Sequence, residues 1–430
     1  MRSTLKGLLA LLSYRLRRLA KALGPARLAA TGRFLGSLLG AMGRRRREPL
    51  LTVAVDVSSF WEPLTGIGWY LYRLLEHLAD REDLKLRLYG PTVVAGEAFA
   101  EPVVELPRGR ALERVTYRVP DGLSLPRWVL ETLIHRTRLL WVAGDGNRVI
   151  FAPNYLIPST FRLCRGALVV TVHDLGYLEV PETLQEETLG ILRRGMDRTF
   201  RRAKQVITPS RAVAREIVEG GLAGDGRVTA VHHGPGQLAR IPAGELPVEV
   251  SRPYALFVGT VEPRKNLSTA LEAWRRLRRE RRSPPPLVVC GKLGWKAELI
   301  QPELDAAARE GWLVHLGYVD NPTLKALYKN ALLVVFPSLY EGFGLPAVEA
   351  QQAGAPLVCS DLPVFREVAG EGALYAPATD PEAWERALCQ LLDEPDLRDR
   401  LGLAGERSAE KFSWQRAAQS THDVWRKAVG

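Results

Sequence analysis

Two carboxylates eight positions apart, Glu341 and Glu349, flank a glycine turn, Gly342-Phe343-Gly344, that opens onto Leu345 and Pro346. Apolar runs at 331–337 and 355–360 bracket this stretch, and each suits a buried parallel strand. Pro346 fits the first turn of a helix and Gly354 fits its C-terminal stop. Glycines at 342 and 344 let main-chain N–H groups approach a ligand closely. A helix N-terminus leaves its first N–H groups without internal partners, which suits an anion. Carboxylates beside such a site do not hold the anion; they accept hydrogen bonds from sugar hydroxyls on either side of it. Arg264 and Lys265 lie in the loop 259–266, after the apolar run 254–258. Lysine as a point charge and arginine as a planar fork can face phosphates held at Leu345, or the loop is simply a solvated basic one. His173 and Asp174 end the apolar run 167–172. A lone histidine there is either a satisfied structural residue or a group that hydrogen-bonds a hydroxyl.

The elements that must position these residues alternate. Strands are expected at 51–57, 84–89, 148–152, 167–172, 205–208 and 228–231. Helices are expected at 69–79, 127–142 and 184–202, with another capped by Ser210 and running through Val218. The stretch 234–253 holds four prolines without periodicity and reads as a connector. A second series follows, with strands at 254–258, 287–290 and 313–318 and helices at 266–279, 295–309 and 323–329, ahead of the strand, helix and strand around Glu341. The class is α/β, with two Rossmann-like domains of parallel sheet and ligands at the carboxyl ends of strands, in a cleft between the domains. The expected division is a basic segment 1–47, an N-terminal domain 48–235, a linker 236–253, a C-terminal domain 254–405 and a C-terminal helix 406–430 packing back toward the N-terminal domain.

The string from Tyr340 to Pro346, with Glu341, seven residues and Glu349, resembles the Glu-x7-Glu signature of family-four retaining glycosyltransferases of the GT-B fold. The resemblance covers roughly residues 50 to 420. It implies a nucleotide-sugar donor whose diphosphate is held by Lys265, Arg264 and the backbone of Gly342, Phe343, Gly344 and Leu345. Glu341 then positions the donor sugar and Glu349 the ribose hydroxyls. Thr65-Gly66-Ile67-Gly68 is similar to the family's glycine loop, which brings Gly66 and Gly68 to the diphosphate. Thr260 stands where many relatives have arginine, which leaves Arg264 less firmly placed than Lys265; Thr260 and Tyr318 join the donor side. His173 matches the family's histidine at this strand end and is assigned to the sugar and acceptor, with Asp174 and Asn154 orienting the acceptor. Transfer with retention, without a protein nucleophile, cofactor or metal, is the implied chemistry. The segment 172–181 looks like that of mannosyltransferases building surface polysaccharides, so GDP-mannose is the expected donor and UDP-sugars come next. The rival readings are an inactive nucleotide-sugar-binding partner protein and a related sugar-nucleotide epimerase, which the paired glutamates disfavour.

The chain has 430 residues and a net charge of +11, yet the excess is local. Residues 1–47 hold 12 Lys or Arg and no acid, whereas the remaining 383 residues carry 47 basic and 48 acidic side chains. That balance excludes a basic nucleic-acid face on the body of the protein. Leucines 5, 8, 9, 12, 16, 19 and 23 recur at helical spacing beside Lys6, Arg15, Arg17, Arg18 and Lys21. The segment therefore reads as an amphipathic helix on an anionic membrane surface, with a disordered tail, a transit peptide or an over-long start as alternatives. The expected location is cytoplasmic, on the inner face of the cell membrane, with a glycan or lipid-linked acceptor. Cys164, Cys290, Cys359 and Cys389 are widely spaced and read as free thiols. Neighbouring histidines at 232 and 233 point to opposite faces of a strand and do not share a metal ion.

Overall fold

The structure, a computed structural model, describes residues 50–430 apart from 62–63, 65, 91–101, 116–141, 159–160, 162, 237, 239–240 and 281–282. The expected amphipathic segment 1–47, Thr65 and nearly all of the helix expected over 127–142 lie outside the described residues. Close contacts group the chain into two units. The first takes residues up to Gly68 with 79–151 and 158–167, and the second takes 69–78, 152–157 and 168–430.

One sheet contains β1 (Leu51–Asp56), β2 (Leu84–Tyr89), β3 (Leu112–Val115), β4 (Val149–Ala152), β5 (Ala167–Thr171), β6 (Gln205–Thr208) and β7 (Val228–Ala230), in the order β3-β2-β1-β4-β5-β6-β7. Among its helices are α1 (Gly66–Leu78), α2 (Gly176–Glu179), α3 (Glu186–Arg202) and α4 (Arg211–Glu219). The other sheet contains β8 (Ala255–Val258), β9 (Leu287–Cys290), β10 (Leu313–Gly317), β11 (Leu333–Phe336), β12 (Leu357–Ser360) and β13 (Ala373–Ala376), in the order β10-β9-β8-β11-β12-β13. Its helices are α5 (Leu267–Arg279), α6 (Gln301–Arg309), α7 (Asn321–Asn330), α8 (Leu345–Gln352), α9 (Pro363–Ala369), α10 (Pro381–Asp393) and α11 (Pro395–Ala409), with α12 (Trp414–Val429) ending the chain.

The second sheet is buried on both faces, and period-two alternation sorts its residues between two cores. Leu256 and Val258 of β8 pack with Phe336, Leu357, Ala347 and Val348. Ala255 and Phe257 between them pack with Val335, Trp274 and Trp384 on the opposite side. The two tryptophans are wholly buried because their indole N–H groups find carbonyl partners, Trp274 at Pro285 and Trp384 at Pro377, both at 3.0 Å. Ser210 caps α4 by accepting from Val213 N–H at 3.2 Å, and Asp320 caps α7 by accepting from Thr323 N–H at 2.9 Å. Helix α12 packs on β6, and Lys427 donates to the Gly226 carbonyl at 3.0 Å.

Several elements differ from expectation. The helix expected over 295–309 is a 3-10 turn, Ala297–Leu299, followed by α6, because Lys296 takes left-handed geometry (φ 56°) and Pro302 favours a fresh helix start. Helix α3 begins at Glu186 rather than 184, after a 3-10 turn at Pro181–Thr183. Helix α11 runs through position 405, where a boundary was expected, and the terminal helix starts at Trp414.

Candidate active site

The order of the second sheet reverses between β8 and β11, which pair with each other in parallel. Loops leaving neighbouring strands at such a reversal diverge above and below the sheet and leave a crevice at the carboxyl ends. The loop after β8 folds as one 3-10 turn, Pro263–Lys265, closed by Asn266 in left-handed geometry (φ 52°). The Asn266 amide donates to Pro337 O at 2.9 Å and Ala378 O at 2.7 Å, stitching this loop to the end of β11. Leu339 N–H adds a bond to Arg264 O at 2.8 Å. Arg264 and Lys265 thereby meet Glu341.

Lys265 Nζ donates to Glu341 Oε1, and the Ser338 hydroxyl donates to the same oxygen at 2.9 Å. Arg264 Nη1 reaches Glu341 Oε2 and Tyr340 O, both at 3.2 Å, and its Nη2 reaches Glu262 Oε1 at 2.9 Å. Burial alone would raise the Glu341 carboxyl, but Lys265 and Arg264, with the Lys265 and Ser338 hydrogen bonds, hold it down to about 2. Glu262 lies above its ordinary value because desolvation outweighs the attraction of Arg264 and Lys265. Two acids thus hold two cations beside the start of α8.

Gly344, in left-handed geometry (φ 82°), opens α8 in contact with the Phe365 ring. Gly342 serves a purpose that its spacing did not disclose: a Cβ there would lie 2.0 Å from His173 O, so the turn fits against the end of β5 with no room for a methyl. Ser210 donates to Gly342 O at 2.8 Å. Tyr340 accepts from Leu175 N–H at 2.9 Å and donates to Glu216 Oε2 at 2.6 Å. Asn266, Ser210 and Tyr340 were all missed as site residues. Asn266 had one visible signal, an asparagine directly before a helix.

His173 is buried, with its Nε2–H given to Pro153 O at 2.8 Å. A carbonyl only accepts, so the neutral ring keeps Nδ1 as an acceptor. Burial moves its pKa below the ordinary value, against the Pro153 bond and Asp174. Tyr70 and Tyr155 lie edge-on to it at 5.0 and 5.6 Å. Asp174 accepts from Gly176 N–H at 3.0 Å and from the Tyr155 hydroxyl. Asn154 is exposed beyond β4. The two neighbouring histidines diverge: His232 pairs with Glu367, which also accepts from the Arg211 and Ala212 N–H groups at 2.8 and 2.9 Å, while His233 enters an aromatic cluster.

Glu349 sits one turn inside α8, with the Tyr328 hydroxyl at 3.4 Å. Desolvation raises its carboxyl to about 7, and the Tyr328 bond offsets only part of this. Gly236 presses on it, since a Cβ there would fall 1.7 Å from Oε1. Thr260 is exposed, and Tyr318 is 71% exposed beneath Lys292 Nζ, 5.1 Å from its ring centre. Gly66 and Gly68 belong to the first unit, where they open α1; a Cβ at Gly68 would meet Leu64 Cδ2 at 2.6 Å.

Comparison with known proteins agrees with this architecture. The family described as Glycosyl transferases group 1 matches residues 244–408, and Glycosyltransferase Family 4 matches residues 64–236. The O-antigen chain mannosyltransferase B of Escherichia coli is 31% identical over 376 residues, spanning 85% of this chain and 96% of its own. The O-antigen chain mannosyltransferase RfbU of Salmonella typhimurium is 28% identical over 354 residues, spanning 80% and 92%. The crystal structure of Anabaena HepE in complex with UDP and glucose has a TM-score of 0.61 at 15% identity, covering 88% of this chain and 100% of that one. The chain therefore belongs to glycosyltransferase family 4: it is a hexosyltransferase of the two-sheet GT-B fold, similar to the mannosyltransferases of polysaccharide synthesis.

Proposed function

We propose that this protein transfers mannose from GDP-mannose to a glycan or lipid-linked acceptor during surface-polysaccharide synthesis, with retention of anomeric configuration. The observation that carries the reading is the meeting of Lys265, Arg264 and Glu341 beside the N-terminus of α8. Charge that grows on a departing diphosphate finds two cations and unpaired N–H groups already oriented there. Glu341 holds the cations until the donor arrives and then accepts from the donor sugar; Glu349 takes the ribose hydroxyls. Thr260 and Tyr318 complete the donor side. His173 accepts from a sugar or acceptor hydroxyl through Nδ1, with Asp174 and Asn154 nearby on the acceptor side.

Mannose is favoured because the O-antigen relatives are named mannosyltransferases. UDP-sugars are the second choice, since HepE is solved with UDP and glucose. The cations at the diphosphate do the work that a divalent metal does elsewhere, so the reaction proceeds in EDTA. Among the described residues no helix is long and apolar enough to cross a membrane. Attachment to the inner face of the cell membrane is assigned to residues 1–47. The test is a thermal scan against UDP, GDP and their sugars, followed by NMR of the first-formed product in EDTA. Stabilisation by GDP and a retained anomeric centre are expected. A UDP-only response reassigns the donor, and an inverted centre or loss of activity in EDTA refutes the mechanism.

A further inference from the structure

His233 follows β7, is 5% exposed, and neither of its ring nitrogens has a hydrogen-bond partner among the described residues. Its ring stacks on Tyr70 at 4.7 Å and on Trp414 at 5.7 Å, which fixes the imidazole plane. Phe343 lies 5.0 Å from it and His173 5.8 Å. Burial, with smaller contributions from His173 and His232, pushes its pKa well below the ordinary value. The neutral ring therefore offers one donor and one acceptor. Buried polar groups without partners are few in folded proteins, and one held in plane beside a binding site points to a ligand.

We propose that His233 is a further donor-binding residue, giving a hydrogen bond from its ring N–H to an oxygen of the nucleoside-diphosphate part of the substrate. The inference rests on reading this site as a nucleotide-sugar site. Two contacts select that part of the donor. Phe343 belongs to the turn whose N–H groups face the diphosphate, and Gly236, three residues after His233, presses on the ribose-binding Glu349. Phe343 shields one side of the ring, and its side chain turns aside about its own torsions when the donor enters.

The test follows the imidazole nitrogens of the full chain, labelled with 15N-histidine, as UDP, GDP or mannose is added. His233 is assigned from the signals missing in His233→Gln. A nitrogen of His233 should shift with a nucleoside diphosphate and not with mannose alone. In parallel, the Kd for UDP and GDP is measured for wild type, His233→Phe and His233→Gln. Phenylalanine keeps the stacking and removes both nitrogens, so Kd should rise roughly tenfold, with glutamine restoring part of the loss. Unmoved His233 signals during wild-type binding overturn the proposal, as does wild-type affinity in His233→Phe. If the phenylalanine variant fails to fold, the wild-type spectra decide. A wild type that binds neither UDP nor GDP instead overturns the donor-site reading, and this inference with it.

Discussion

Glu349→Gln should make the ligand-free protein more stable at neutral and alkaline pH while weakening its hold on nucleotide. The carboxyl is pressed by Gly236 and has the Tyr328 hydroxyl at 3.4 Å, and desolvation lifts its pKa from 4.5 to about 7. An acid whose folded pKa exceeds its unfolded one binds its proton more tightly when folded. Its ionisation therefore removes native stability as pH climbs from 4.5 to about 7. At about 1.36 kcal/mol per pH unit, the charged form costs about 3 kcal/mol above pH 7. Glutamine keeps the shape and has no charge to desolvate. The melting temperatures of variant and wild type should therefore converge near pH 4.5 and separate by several degrees at pH 8. Thermal scans at pH 4.5, 6 and 8 without nucleotide read this directly. A variant whose melting curve differs by a constant offset at all three, or not at all, refutes the assignment of the strain to the desolvated charge. Nucleotide affinity should move the other way, because the carboxylate costly to the empty protein is the group we propose for the ribose hydroxyls.

Lys265→Ala should lower kcat by roughly 10²–10³-fold with a smaller change in donor KM, as expected when one stabilising donor is lost from a transition state; a change in KM alone would count against its role. Gly342→Ala should cost activity and roughly 1–3 kcal/mol of stability, because its Cβ would lie 2.0 Å from His173 O. A fully active, equally stable variant would show that the turn and the end of β5 are not fitted as described. Removing residues 1–47 should release the protein from anionic vesicles at low salt and leave donor hydrolysis intact. Continued partitioning of the shortened chain would place the membrane contact elsewhere.

The alternation of apolar runs revealed the two sheets because fully buried parallel strands read as short continuous stretches, as at 333–336 and 357–360. β13 escaped notice because Ala373-Leu374-Tyr375-Ala376 has too little branched character to stand out. Lys265 and Glu341 were legible as chemistry, and their pairing follows from strand order, which no local pattern encodes. Glu349 was legible as a carboxylate, but its raised pKa comes from desolvation by the fold, where Gly236, 113 positions away in the chain, lies against it. His233 was weighed only as a metal ligand and set aside; its neighbours Tyr70, Phe343 and Trp414 come from three distant segments.

The close fit of Gly342 against His173 is made largely by main chain. A carbonyl faces a glycine, Ser210 donates to a carbonyl, and a peptide N–H donates to the Tyr340 hydroxyl. A seam of this kind asks for a glycine at 342, a serine at 210 and a tyrosine at 340, with Glu216 to receive the tyrosine and the His232–Glu367 pair alongside. Surfaces away from this seam can then vary without disturbing it. Chimaeras that join the 168–236 stretch of one homologue to the 254–409 stretch of another should therefore fold and dock wherever those six residues are kept. Exchanging the 254–409 stretch between such enzymes becomes a practical route to hybrid glycosyltransferases.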